Sequence, residues 1–203
     1  MHISEGVLSP AILSGGAALA ALGVTLGLRR LDYERLMTVA VAAAVFFVGS
    51  LVHVPAGVSS VHLILNGLVG VLLGWAAFPA ILVALVLQGV LFQYGGITVL
   101  GVNTVTMAAP AVLSAWLFRP LLQRPHWRRL GGFCIGACSV AGSALLTALA
   151  LGMTDEGFLG AAGVLLLAHL PVMAAEGVIT ALTVGFLARV RPDVLGLDEE
   201  ERA

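Results

Sequence analysis

Lysine is missing from this chain: all ten basic residues are arginines. A Walker A loop needs Gly-Lys-Ser/Thr for the phosphates, so its absence says that the chain binds no ATP and that any ATP-driven step belongs to another subunit. Charge is scarce altogether, at 10% of 203 residues with a formal net charge of −1. That removes the electrostatic footprint of a nucleic-acid-binding protein. There are two cysteines, Cys134 and Cys138, set four apart in an apolar run; thiols there behave as small hydrophobes and say nothing of redox compartment. Neither His-Glu-x-x-His for catalytic zinc nor Gly-x-Ser-x-Gly for a serine nucleophile occurs, so enzymatic activity has no support. A third missing pattern is His followed by Asp-His after four residues, as nickel/cobalt permeases carry on an early helix, which disfavours a stand-alone secondary permease.

What the chain has instead is apolar surface. Hydrophobic residues make up 60% of it and the mean hydropathy is +1.06, more than a soluble domain of this length is able to bury. The expected solvent is therefore lipid and the fold class all-α: a polytopic membrane helical bundle forming a single domain over 1–203. Twenty-five glycines suit helices whose backbones approach closely in a bilayer. Small-residue rows in the first span, Ala17 with Ala21 and Gly23 with Gly27, are candidates for packing on a partner or within the bundle itself.

A crossing helix needs about 20 apolar residues. Apolar runs cover Pro10 to Leu28, Leu36 to Val52, Ser59 to Tyr94, Asn103 to Phe118, Leu130 to Met153 and Phe158 to Leu187. The third is too long for one crossing, and a split near Trp75 to Pro79, where aromatics and a proline meet, gives about seven transmembrane helices. The arginines support that count. Arg29, Arg30 and Arg35 follow the first span, Arg119, Arg124, Arg128 and Arg129 the fifth, and Arg189, Arg191 and Arg202 the last. By the positive-inside rule, seven spans put all of them on the cytoplasmic side, with the N-terminus outside and an acidic C-terminal tail, 193–203, inside. The N-terminus lacks the basic stretch of a secretory signal peptide, so Met1 is expected to be retained. The glycine-rich stretch Tyr94 to Asn103 reads as a re-entrant segment packed against protein at the outer face.

On this topology four of five histidines, His2, His53, His62 and His169, fall outside or in the outer part of a span, while His126 is cytoplasmic. An imidazole in or near a bilayer calls for a polar role. Met1 and His2 together offer a chelate: the α-amine, the His2 amide nitrogen once deprotonated, and the His2 imidazole occupy three corners of a plane. Imidazole from His62 or His53 is able to fill the fourth, a set that suits Ni(II) or Cu(II), with Co(II) also accommodated. Glu5 is a candidate carboxylate for orienting His2. Glu176 is the only carboxylate well inside an apolar span, seven residues after His169 and on the same helix face; either metal contact or a helix-to-helix hydrogen bond would satisfy it. Asn103, Thr104, Gln88 and Gln93 bring polar groups to the outer side. A structural or sensory membrane subunit without a solute is the remaining alternative.

Three segments carry a resemblance: Met1 to Pro10 (MHISEGVLSP), Val54 to His62 (VPAGVSSVH) and Gly95 to Thr104 (GGITVLGVNT). They are similar to the substrate-specific components of cobalt and nickel energy-coupling factor transporters, the CbiM/NikM family, along nearly the whole chain. The resemblance implies a metal-binding N-terminal segment, 1–9, that dips into the bundle and binds Co(II) or Ni(II) through Met1, His2 and His62. It also implies residence in a bacterial or archaeal cytoplasmic membrane and a link to cobalamin biosynthesis. Its implied partners are a transmembrane coupling subunit, cytoplasmic ATPases and, in some systems, a small accessory membrane subunit. The chain departs from the family in having His53 where asparagine is common and Ser4 where proline or methionine is common. A fifth ligand or a supporting donor at His53 would shift preference toward Co(II).

Overall fold

The computed structural model describes residues 3–51, 53–56 and 59–197, with side chains described outside 53–61. Eight α-helices, α1 (Pro10–Arg29), α2 (Leu36–Gly49), α3 (Asn66–Leu73), α4 (Ala77–Phe92), α5 (Leu100–Gln123), α6 (Arg128–Gly152), α7 (Leu159–Ala168) and α8 (Leu170–Val190), make up nearly all of it. The fold is all-helical as expected, with one short non-helical insertion. Strands β1 (His53–Ala56) and β2 (Ser59–His62) form an antiparallel hairpin with His53 in register with His62, where the sequence reading began a span at Ser59. The β-branched residues Val54 and Val61, paired across the two strands, suit extended backbone.

Local chemistry accounts for most boundaries. Ser9, extended, precedes Pro10 at the first helical position of α1, where a missing N–H costs nothing. Gly74, at φ +53, ends α3, and a 3-10 turn over Gly74–Ala76 leads into α4, a break beside the expected one at Trp75 within an apolar stretch that still runs from Asn66 to Phe92. Pro171 has no N–H to offer the Leu167 carbonyl, and the helix breaks into α7 and α8 there. The His169 Nδ1–H caps the break by donating to the Leu165 carbonyl at 2.7 Å. The stretch expected to be re-entrant is instead a short loop over residues 93–99, and its last part, from Leu100, already belongs to α5.

Five stretches are long and apolar enough to cross a membrane: Pro10–Arg29, Asn66–Phe92, Leu100–Gln123, Arg128–Gly152 and Glu156–Val190. The 14 residues of α2 fall short of the usual crossing length. The outer surface is apolar, with Leu22, Val90, Trp116, Leu145, Leu167 and Phe186 all more than half exposed, a surface that only lipid covers at low cost. The chain is a multi-pass membrane protein.

Helices meet through glycine. A Cβ on Gly70 would lie 2.2 Å from the Ala111 carbonyl oxygen of α5, one on Gly136 2.5 Å from the Glu176 carbonyl oxygen of α8, and one on Gly101 2.6 Å from Ala17 of α1. Gly23 receives the Phe78 ring and Gly27 receives Pro79 and the Trp75 carbonyl. Gly23 and Gly27 thus pack inside their own bundle, whereas Ala17 and Ala21 are exposed. Because the end of α1 touches the start of α4, α1 runs antiparallel to α4. Its beginning lies against the start of α5, so the two helices begin at the same end of the bundle.

The bundle has two chemically different ends. At one, Arg30, Arg35 and Arg119 line a cavity of about 330 Å³ with Leu72 to Trp75 and Val194 to Gly196. The Arg35 guanidinium donates to the Leu72 and Val194 carbonyls, each at 3.2 Å, and that of Arg30 lies 5.3 Å from the Trp75 ring centre. Beyond α8, the Arg191 guanidinium hydrogen-bonds Asp193 at 2.8 Å and lowers its carboxyl pKa. The other end, formed by the starts of α1 and α5 and the end of α6, holds the N-terminal segment.

Candidate metal site at the end opposite the arginines

The N-terminal segment is drawn into the bundle. Ile3 and Leu8 are buried with Val99, Val102 and Ala150, which removes apolar side chains from water and fixes the segment over α5 and α6. Asn103, in the first turn of α5, binds the Ile3 backbone at both ends: Oδ1 accepts from the Ile3 N–H and Nδ2 donates to the Ile3 carbonyl, both at 3.1 Å. A primary amide has one acceptor and one donor side at the spacing of a strand's backbone pair, so Asn103 acts as a one-residue strand partner. Glu5 lies across Gly96, whose φ of +145 and missing Cβ make room for it; a Cβ there would sit 1.9 Å from Glu5 Cγ. The Glu5 carboxylate accepts from the Thr98 N–H at 3.2 Å, and the Ser9 N–H reaches the Thr154 hydroxyl at 3.4 Å. Glu5 therefore ties the segment to the loop over residues 93–99. Met1 and His2, the proposed chelate, lie outside the described residues.

One turn further along α5, four residues from Asn103, the Met107 carbonyl accepts from Asn66 Nδ2 at 2.9 Å, and the same nitrogen donates to Ser143 of α6 at 2.8 Å. Asn66 opens α3, four residues after His62, where the hairpin ends. The N-terminal segment and the His62 segment are thus attached to one face of α5, separated by one helical turn, about 6 Å of rise. Asn66 escaped the sequence reading. Its signal was present: apart from Asn103 it is the only asparagine in the chain, and a lone amide within an apolar run marks a polar role.

His62 is 9% exposed and His169 6%. The His62 Nδ1–H donates to the Leu63 carbonyl at 2.9 Å. Glu176, wholly buried, accepts through Oε1 from the Ile64 N–H and from the Leu65 N–H, the latter at 2.7 Å, while Oε2 has no partner among the described residues. The carboxylate thus bonds to backbone on another segment. His53 is the register partner of His62. His126 sits on the exposed turn between α5 and α6 beside Trp127, far along the chain from these groups and at the arginine end. Gln88 bonds the Ser50 hydroxyl and joins α2 to α4, a packing role; Gln93 ends α4 at φ +58. Among the described residues no three His, Cys, Asp or Glu side chains converge as a metal-sized group. His62 and His169 supply two imidazoles, and further donors have to come from elsewhere.

Known proteins place the chain. The family model for the cobalt uptake substrate-specific transmembrane region, CbiM, matches residues 2–194. A Haemophilus influenzae protein assigned to metal transport is 46% identical, with 98% of each chain covered. The fused nickel transport protein NikMN of Rhodobacter capsulatus is 34% identical over 96% of this chain and 64% of its own length. A crystal structure of a transition metal transporter superposes with a TM-score of 0.77 at 28% identity, covering all of both chains. The chain belongs to the CbiM family of cobalt and nickel transport membrane proteins, and is a transport component rather than an enzyme.

Proposed function

We propose that this chain is the ion-capturing subunit of an energy-coupled importer, taking Co(II) or Ni(II) at the end opposite the arginines through the Met1 amine, the His2 amide and imidazole, and His62. The observation that supports this reading is the attachment of both segments to α5: Asn103 holds Ile3, the residue after His2, and Met107, one helical turn on, holds Asn66, four residues after His62. A planar nitrogen set suits Ni(II), and an added ligand from His169 or His53 suits Co(II). Glu5 and Asn103 act by fixing the terminus rather than by touching the ion.

The topology that fits this role is seven crossings with the N-terminus outside. Here α2 counts as a short crossing, the hairpin with α3 as one, and α7 with α8 as one. The arginine cavity then faces the cytoplasm of a bacterial or archaeal cell, where a coupling membrane subunit and ATPases would dock. The fusion of the M unit with an N unit in the nickel relative supports a small accessory membrane subunit beside this one. The absence of lysine, and with it of a P-loop, agrees with ATP hydrolysis by a separate protein. One extra residue before Met1 displaces both the amine and the imidazole from register. Uptake of radioactive cobalt or nickel by cells carrying the complete transporter should vanish in that variant while membrane levels of the protein stay constant. Normal uptake would overturn the chelate.

A further inference from the structure

Building on the metal-capture reading, we propose that Glu176 is a positioning residue that acts on His62 through a single peptide group. The Ile64 N–H, which donates to Glu176 Oε1, and the Leu63 carbonyl, which accepts from His62 Nδ1, are the two ends of one planar peptide unit. The order is carboxylate, peptide, imidazole. A carbonyl only accepts, so the contact at 2.9 Å puts the proton of the neutral ring on Nδ1 and leaves Nε2 as the unprotonated nitrogen. That is the nitrogen a metal ion needs. A carboxylate pulling on the amide end polarises the carbonyl end, so Glu176 performs at one remove what an acidic partner does for a ligating histidine by direct contact.

The local backbone shows why the carboxylate is required. Residues 63–65 join β2 to α3 without regular structure, and Leu65, at φ +56, occupies the N-cap position of α3. Leucine has no side-chain acceptor for capping, and left-handed backbone is unfavourable for it. Oε1 gathers the two consecutive N–H groups of Ile64 and Leu65, so a side chain from α8 fixes the strained entry into α3. Glu176 stands two turns beyond His169 on that helix. The same contacts therefore fix the His62 segment relative to the second imidazole.

Substitutions separate this role from charge or direct ligation. Glu176→Gln keeps an oxygen that accepts both amides, as neutral hydrogen bonds of about half the strength, whereas Glu176→Leu removes it at similar volume. The full-length protein with its native first residue, purified in detergent, is titrated with nickel chloride, and hydrogen exchange is followed at the Ile64 and Leu65 amides. Glu176→Gln should retain slow exchange and lose no more than about threefold in Ni(II) affinity, as expected from hydrogen bonds at half strength. Glu176→Leu should exchange rapidly at both amides and bind at least about tenfold more weakly, the usual loss for the support of a ligating histidine. A Glu176→Gln protein as impaired as Glu176→Leu would overturn the relay in favour of the charge itself. So would a Glu176→Leu protein with protected amides and unchanged affinity. If Glu176→Leu does not fold, Glu176→Gln still decides, because a loss beyond about tenfold there contradicts an acceptor-only role. Wild-type protein that binds no nickel overturns the metal-capture reading and the positioning role with it, a result distinct from either variant outcome.

Discussion

Removing the Asn103 amide tests the docking of the terminus most directly. In Asn103→Ala the Ile3 N–H and carbonyl, buried with a residue only 4% exposed, lose their partners. An unpartnered buried polar group costs about 1–3 kcal/mol, so the docked segment is destabilised by about 2–6 kcal/mol for the pair. Burial of the Ile3 and Leu8 side chains holds the segment with about 1.5–3 kcal/mol each. The two contributions are comparable, so a loss in the upper part of that range leaves the docked form a minority of about 1–10%. Affinity for an ion bound only by the docked form falls with the docked fraction. At about 1.4 kcal/mol per factor of ten, Asn103→Ala should bind Ni(II) or Co(II) about ten- to a hundredfold more weakly. The assay is competition against a chromogenic chelator on detergent-purified protein, beside the thermal unfolding of the bundle, whose helix contacts do not involve this side chain. Unchanged affinity with the Ile3 amide still protected from hydrogen exchange would refute the docking argument.

Gly96→Ala should displace Glu5 and strain a backbone at φ +145, costing about 1–3 kcal/mol and lowering metal uptake. Gly15→Ala, where a Cβ meets nothing within 4 Å, should leave uptake unchanged; equal uptake by both variants would contradict the cradle. Gly70→Ala drives a methyl into the Ala111 carbonyl, and overpacking of that kind costs about 1–3 kcal/mol. Its signature is a lower melting temperature without a specific loss of metal affinity in the folded fraction. Metal affinity should also fall steeply on acidification, since the amine, the amide and the imidazoles must be deprotonated to bind. Titrations between neutral and mildly acid pH that superimpose would exclude the proposed nitrogen set.

Much of this molecule was legible in one dimension because the bilayer imposes a length rule. Apolar runs of near-crossing length, separated by clustered arginines, announce a membrane bundle whatever its packing. The division of the third run at Trp75 to Pro79 was readable for the same reason: proline and glycine act locally. His62, Asn103, Glu5, His169 and Glu176 stood out as polar groups in apolar surroundings. Their roles did not, since a role is a matter of partners. The strand Ser59–His62 was hidden at the start of an apolar run, where strand and helix carry the same composition, and the break at His169 and Pro171 was absorbed into a run whose hydropathy never falls.

The sequence by itself determined that the chain lives in lipid, that it has no lysine with which to build a P-loop, and where its rare polar groups stand along each span. Only the tertiary structure decided that Asn103 pairs with the backbone of Ile3, 100 residues away, that Asn66 reaches α5 and α6 together, and that Glu176 joins His62 through one peptide group instead of through α8 alone. The physical reason is distance along the chain. Hydrophobic length and backbone breaks are properties of neighbours, whereas a hydrogen bond between residues so far apart in sequence exists only once glycine-lined helices have closed to within contact and removed water from the groups between them.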